Sequence, residues 1–384
     1  MAALDRVVVV GGGVGGLTVA LALRQAGVPV EVHERHDHGQ SHATGFTLWS
    51  YAIKHLMALG LDEATLAGIG CAIEHTEIRN QEGDLIELMP VGDVSRAIGA
   101  PSYDLRRAEL LAALTAHLGP DAVHMGSECV GIAQGEAMAT ALLKSGGHAS
   151  GSLVIGADGL HSVVRTAVAG PARLRYSGYR AVSAVIPFRH PLLPARRHVE
   201  IWARGAKGGV ADVGSGLARW YVTYRAPEDA PPPFGKARIL EHIRGWYPLL
   251  EAAVLATDDA RLVPSEAWDL EPLGTWVKGR AVLLGDAAHA TTPFAAMGAN
   301  MTVDDAVTLA ELLASPRSLE EALGAFQAFR KARTEDVVRK GRTMGAVAQL
   351  HNPVAVWLRD FAFRHMSPEV VERVTREMAA GGEE

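Results

Sequence analysis

Three glycines and three carboxylates carry the first legible chemistry. Gly11, Gly13 and Gly16, spaced Gly-x-Gly-x-x-Gly with Gly15 inside the same turn, let a backbone approach a ligand closely. A helix that starts there presents unpaired N–H groups and the positive end of its dipole, which suits a pyrophosphate. Glu34 follows at the distance where an acid holds a ribose hydroxyl. Two later motifs, Asp158-Gly159 with Ser162 and Arg165, and Gly285-Asp286 with His289 and Pro293, each end an apolar run on a carboxylate. The cations Arg204 and Lys207 fall in a stretch of different character.

The elements that must position these residues follow from periodicity. Val7 to Val10 read as a buried strand, and Leu17, Ala20, Leu21 and Leu23 as a helix ended by Gly27 and Pro29. Val30 to His33 form a second strand and close a βαβ unit. Thr47 falls on a short strand or loop beside the glycine turn. Glu74 to Arg79 and Leu85 to Met89 predict a hairpin, and a helix opens at Arg107. A basic residue at a helix start opposes the dipole unless an anion is near, so Arg107 either faces the pyrophosphate or is a plain surface arginine. Cys129-Val130 begin a further strand.

From 171 to 274 the helical pattern fades and alternation with aromatics takes over, predicting a mostly antiparallel sheet as a second domain. Trp202, Trp220 and Tyr224 there are either core or the walls of a substrate pocket. A helix is expected from about Asn300, another from Leu319 to about Leu350, and, after Asn352-Pro353, one last amphipathic helix from about Val354 to Met378.

The 384 residues, 48% hydrophobic and 21% charged, bound the answer to a globular chain of about two domains. A formal net charge of −6 and basic runs no longer than Arg196-Arg197 speak against nucleic acid. Cys71 and Cys129 have neither disulfide nor zinc spacing. The His36 to His42 loop alternates histidines without supporting ligands and reads as solvated, so no metal site is expected. No leader pattern and no apolar run of about 18 residues occurs, and a cytoplasmic protein off the membrane is the expectation.

Taken in order, the Gly-rich unit with Glu34-Arg35, the Asp158-Gly159 motif and the Gly285-Asp286 motif resemble the group A flavoprotein aromatic hydroxylases, with the para-hydroxybenzoate hydroxylase fold. GFTLWSYAIKHLMALGL, YSGYR and FQAFRKAR are similar to the salicylate, urate and 6-hydroxynicotinate hydroxylase branch. The resemblance implies an α/β fold: a Rossmann-like FAD-binding domain (1–72, 98–170 and 275–345), an inserted mostly antiparallel substrate domain (73–97 and 171–274) and a C-terminal helical segment (346–384). It implies bound FAD, NADPH or NADH as electron donor, O2, and hydroxylation of a small aromatic or heteroaromatic substrate through a flavin C4a-hydroperoxide, by a monomer or homodimer.

The same resemblance assigns roles. Gly11, Gly13, Gly15 and Gly16 would lie at the pyrophosphate, Glu34 and Arg35 at the adenosine ribose, Cys129 near the adenine and Arg107 at the phosphates. Thr47, Pro293 and the Gly298-Ala299-Asn300 backbone would meet the flavin, and Asp286 its ribityl chain. Asp158 and Arg165 would serve fold and nicotinamide contact, and Arg204 and Lys207, by their position in the sheet domain, would be the candidates to favour the deprotonated substrate. One departure stands out: Ala296 occupies the first position of a usual Gly-x-Gly turn. The alternatives are epoxidation or oxidative tailoring of a larger natural product by the same chemistry, or a flavin-binding protein without oxygenase turnover.

Overall fold

A computed structural model describes residues 4–36, 44–230 and 235–381. Most of the histidine loop therefore lies outside the described residues. Val7–Val10 is the middle of a six-stranded sheet, between Leu153–Gly156 and Val30–His33, with Ala281–Leu283 and Val123–His124 beyond these and Val277–Lys278 at one edge. All pairs are parallel except the last edge strand on Ala281–Leu283. Parallel strands covered on both faces have no polar side, and Val7–Val10 is buried throughout. The helix Val14–Gln25 starts hard against the strand end. A Cβ on Gly16 would lie 1.8 Å from the Gly11 carbonyl oxygen, so only glycine allows that path.

The second large sheet has seven strands in the order Val263–Leu270, Leu174–Pro187, Leu217–Arg225, Ala206–Asp212, Arg197–Ala203, His75–Asn80 and Leu85–Met89. It is antiparallel except where Arg197–Ala203 meets His75–Asn80. Its period of two sorts the side chains sharply. Val199, Ile201, Val210, Trp220, Val222 and Tyr224 share one core with the helices Lys236–His242 and Pro248–Leu255. His198, Glu200, Lys207, Arg219, Tyr221 and Thr223 fall on the opposite face. This corrects the pocket-wall reading of Trp220 and Tyr224. Trp220 is 1% exposed, and its indole N–H donates to Thr257 Oγ1 at 2.8 Å, under the helices.

At the C-terminus, Leu319–Ala348 is followed by two helices, Pro353–Arg364 and Pro368–Ala379, where a single one was expected. Pro368 lacks the N–H a continuing helix needs, and its ring drives Ser367 into extended backbone.

The helix Gly298–Ala314 joins these parts through buried charge. Arg330, fully buried on Leu319–Ala348, donates from Nε to Asp305 at 2.7 Å and pairs with Asp304. The other Asp305 oxygen accepts from Gly285 N at 3.0 Å and bonds His289 Nε2 at 2.5 Å. Removing the cation takes the buried charge partner from two carboxylates at once. Arg330→Met is expected to lower the unfolding free energy by about 3–5 kcal/mol, read from denaturant melts; a loss below about 1 kcal/mol would contradict this account.

Candidate flavin and substrate site

A cleft of about 570 Å³ opens at the carboxyl ends of Val7–Val10 and Val30–His33. Gly11, Gly13, Gly15, Glu34, Arg35, Arg107, Cys129, Asp158, Asp286, Pro293 and Ala299 all line it, although they come from four distant parts of the chain. The helix Val14–Gln25 has Gly13 as N-cap, no side-chain cap and no acid in its first turn. Its first N–H groups are thus left for an anion from outside. A Cβ on Gly13 would meet nothing within 4 Å, so a side chain there would project into open cleft. Arg107, at the start of Arg107–Leu118, adds a second positive charge. Glu34 Oε2 accepts from Gly12 N at 2.7 Å, which fastens the acid to the glycine turn. Room, paired positive ends and an acid beside the glycine turn fit the pyrophosphate and the adenosine ribose of FAD.

The other candidate residues sit around this cleft in bracing positions. Gly16 lies under the turn. The Asp158 carboxylate accepts from Ser162 Oγ at 2.5 Å and Val163 N at 2.7 Å, capping the helix Val163–Ala169. Arg165 is buried and donates to the carbonyls of Leu160 and Ala287 at 2.5 and 3.2 Å, holding the segment that carries Asp286. Thr47 is buried and donates to Asp104 Oδ1 at 2.7 Å. Asn300, fully buried, accepts from Trp49 N at 2.7 Å and donates to the carbonyls of Thr47 and Ala296 at 3.0 and 2.8 Å. Gly298 begins that helix, with Met297 as an N-cap lacking a side-chain bond. Ala296 holds φ 51° and ψ 32°, a left-handed conformation that costs an alanine about 1 kcal/mol.

Beyond Pro293 the polar face of the seven-stranded sheet meets the turn. Lys207 Nζ pairs with Glu200 at 2.9 Å and donates to the Phe294 carbonyl at 3.4 Å. Tyr221 donates to Glu200 Oε1 at 3.1 Å and the Trp202 indole to Oε2 at 3.0 Å. His198 lies 3.3 Å from Asp104 and 3.9 Å from Glu200, and Arg219 grips Asp104 with two nitrogens at 2.5 and 3.1 Å. Trp202 stays on this side, edge-on to Phe363 at 5.0 Å between ring centres. Arg204 does not join Lys207: it is exposed in the hairpin turn between their strands. Sequence reading missed Glu200, Asp104, Arg219 and Asp305. The alternation of His198, Glu200 and Trp202 was the available signal for the first.

Burial alone would raise the Glu200 carboxyl, but Lys207 and His198 outweigh it and bring it down to about 2. The Asp305 carboxyl follows the same balance, with His289 and Arg330 bringing it to about 2. Folded values below the ordinary 4.5 and 3.8 mean stability that is complete above about pH 4.5 and lost as pH falls toward 2. Glu200→Gln is expected to lose about 3 kcal/mol at pH 7, by stranding Lys207, and to show a shallower acid limb in melts between those pH values. Gly13→Val is expected to keep the melting temperature of the flavin-free protein within about 2 °C and weaken FAD binding at least about tenfold, measured by flavin fluorescence quenching. Unchanged affinity would place FAD elsewhere.

Known proteins share this sequence pattern and fold. A family model described as FAD binding domain matches residues 5–341. The Aurachin C monooxygenase/isomerase of Stigmatella aurantiaca is 34% identical over 373 residues, 96% of each chain. The FAD-dependent urate hydroxylase of Mycolicibacterium vanbaalenii is 31% identical over 357 residues, 91% of this chain and 90% of that one. The crystal structure of Klebsiella pneumoniae HpxO complexed with FAD and uric acid superposes with a TM-score of 0.91 at 25% identity, over 98% of this chain and 97% of that one. Among the described residues no helix is long and apolar enough to cross a membrane. This chain belongs to the FAD-binding domain family and, within it, to the FAD-dependent aromatic hydroxylases.

Proposed function

We propose that the enzyme takes two electrons from NADH or NADPH and uses O2 to hydroxylate a small aromatic or heteroaromatic ring, one oxygen atom entering the ring and the other leaving as water. Bound FAD supplies the redox chemistry. The observation that carries the substrate reading is Lys207: a buried ammonium on the sheet face, held by Glu200 and reaching across to the turn that follows Pro293. Its 3.4 Å contact with the Phe294 carbonyl is at the long end of a hydrogen bond and exchanges readily for a better acceptor.

A ring oxygen of the substrate takes that place. The positive charge favours its deprotonated form, which makes the neighbouring ring carbon electron-rich. Glu200, Tyr221 and Trp202 fix the ammonium rather than touch the reacting carbon. The Gly298–Ala314 N-terminus, uncapped by any side chain, offers N–H groups to negative charge from the other side. Pro293, Ala299 and Thr47 are read as flavin-side positions, with the nicotinamide visiting only transiently, since the chain has a single glycine fingerprint for a dinucleotide.

A second reading, tailoring of a larger natural product by the same chemistry, is favoured by likeness to the Aurachin C monooxygenase/isomerase and to the 2-heptyl-3-hydroxy-4(1H)-quinolone synthase of Pseudomonas aeruginosa, the latter 32% identical over 367 residues.

The test is anaerobic mixing of the FAD-loaded protein with NADPH and with NADH, alone and with phenols, hydroxypyridines, purines and quinolones, following loss of the visible flavin band. Substrate-accelerated bleaching is expected, with one class far ahead of the others. Lys207→Met is expected to keep the flavin spectrum and lose at least about tenfold in product formation. Flavin that neither nicotinamide reduces under any of these conditions would sink the self-sufficient hydroxylase reading.

A further inference from the structure

Behind the ribose end of the cleft, three side chains that could coordinate a metal converge on one face of the parallel sheet. Glu31 and His33 are two apart on Val30–His33 and so point the same way, and His124 is the registered neighbour of His33 on the adjoining strand. His33 Nε2 lies 3.7 Å from Glu31 Oε1, His124 Nε2 lies 3.9 Å from Glu31 Oε2, and the three donor atoms fall within 4.8 Å of one another. The two imidazoles stack at 4.8 Å with 28° between planes.

His33 makes this more than a chance cluster. It is 6% exposed, its Nδ1 shares a 2.8 Å hydrogen bond with Ser127 Oγ, and its Nε2 is sealed from solvent with no hydrogen-bond partner. If Nδ1 carries the proton, Nε2 is a bare lone pair aimed at a carboxylate. If Nε2 carries it, the nearest acceptor is 3.7 Å away, out of hydrogen-bond range. Either tautomer leaves a buried polar atom unsatisfied, and a cation among the three donors satisfies it. Arg6, the other cation near Glu31, stands 3.7 Å from Oε2 on a side chain 55% exposed.

We propose that Glu31, His33 and His124 form a binding site for a divalent transition cation of the zinc class, with a further position open to water. Zinc with bonds of about 2.0–2.2 Å sets its ligands about 3.4 Å apart, so donor atoms now 3.7, 3.9 and up to 4.8 Å apart close by about 0.3 to 1.4 Å, through side-chain rotation, when the ion binds. Two imidazoles and a carboxylate are the donor set that such an ion prefers over calcium or magnesium. Sequence spacing could not show the site, because His124 reaches it only through the pairing of two strands far apart in the chain.

The location gives the ion a job. The His33 carbonyl accepts from Gly11 N at 2.8 Å, and the His124 carbonyl accepts from Glu34 N at 3.0 Å. An ion across the two imidazoles clamps the strand ends that hold the glycine turn and the ribose acid. Its role is to stiffen the adenosine end of the cleft.

The test uses chelator-treated holoenzyme with FAD bound. Zinc chloride is titrated by calorimetry, and cobalt chloride by difference absorption against the flavin. One ion per chain is expected, with micromolar affinity and cobalt bands of four- or five-coordinate character. His124→Ala removes a half-exposed ring, and Glu31→Gln keeps the shape of the acid; each is expected to weaken binding at least tenfold and to abolish a zinc-induced rise in melting temperature. Absence of saturable binding would overturn the proposal. So would binding equally tight in both variants, which would put the ion on other histidines.

Discussion

The Asp305 carboxylate is the interaction on which the rest of this architecture turns. From inside the helix Gly298–Ala314 it accepts the Gly285 N–H, bonds His289 and takes the Arg330 guanidinium. Burying a carboxylate is costly, and only because three partners saturate it does ionisation survive. The consequence is geometric. One turn toward the helix N-terminus, Asn300 clamps the backbone at Thr47, Trp49 and Ala296. A single helix therefore sets the Gly285-Asp286 wall of the cleft, the strand carrying Thr47 and the turn beneath Lys207. Displacing any one of these moves the other two.

Much of the fold was legible because its signals are short-range. A strand, a glycine turn, a helix and a second strand ending in Glu34 all fall within the first 34 residues, where each local preference agrees with the next. The same holds for the alternation of the sheet. What alternation does not say is which face meets a helix and which meets the site, since both faces are buried. Trp220 and Tyr224 read as pocket walls until Lys236–His242 and Pro248–Leu255 are seen to lie over them. Arg204 and Lys207 are three apart, yet a hairpin turn between them sends one to solvent and the other inward. Asn300 was assigned by its backbone, whereas its side chain is the clamp. The break at Pro368 was legible on first principles and overlooked.

The two faces of the seven-stranded sheet form a contrast with a physical meaning. Both are largely shielded from water, yet one is Val, Ile, Trp and Tyr and the other carries Glu200, Lys207, His198 and, with its neighbour Asp104, Arg219. Stability alone does not select the second pattern, because well-packed apolar side chains of similar size serve a core as well as buried ion pairs do. Desolvation is repaid by close pairing, as the depressed Glu200 and Asp104 carboxyls show against a burial effect that pushes the other way. A preset field in a dry place gains its advantage only when charge arrives from outside.

Val14–Gln25, Arg107–Leu118 and Gly298–Ala314 all start at the cleft without side-chain caps. A flavin bound in the cleft would supply their first N–H groups with acceptors, and would then support the fold as well as the chemistry. A ligand that binds only the native state adds about 2.7 kcal/mol when present at a hundred times its dissociation constant. By that linkage the FAD-loaded protein would outlast the FAD-free chain against unfolding and proteolysis.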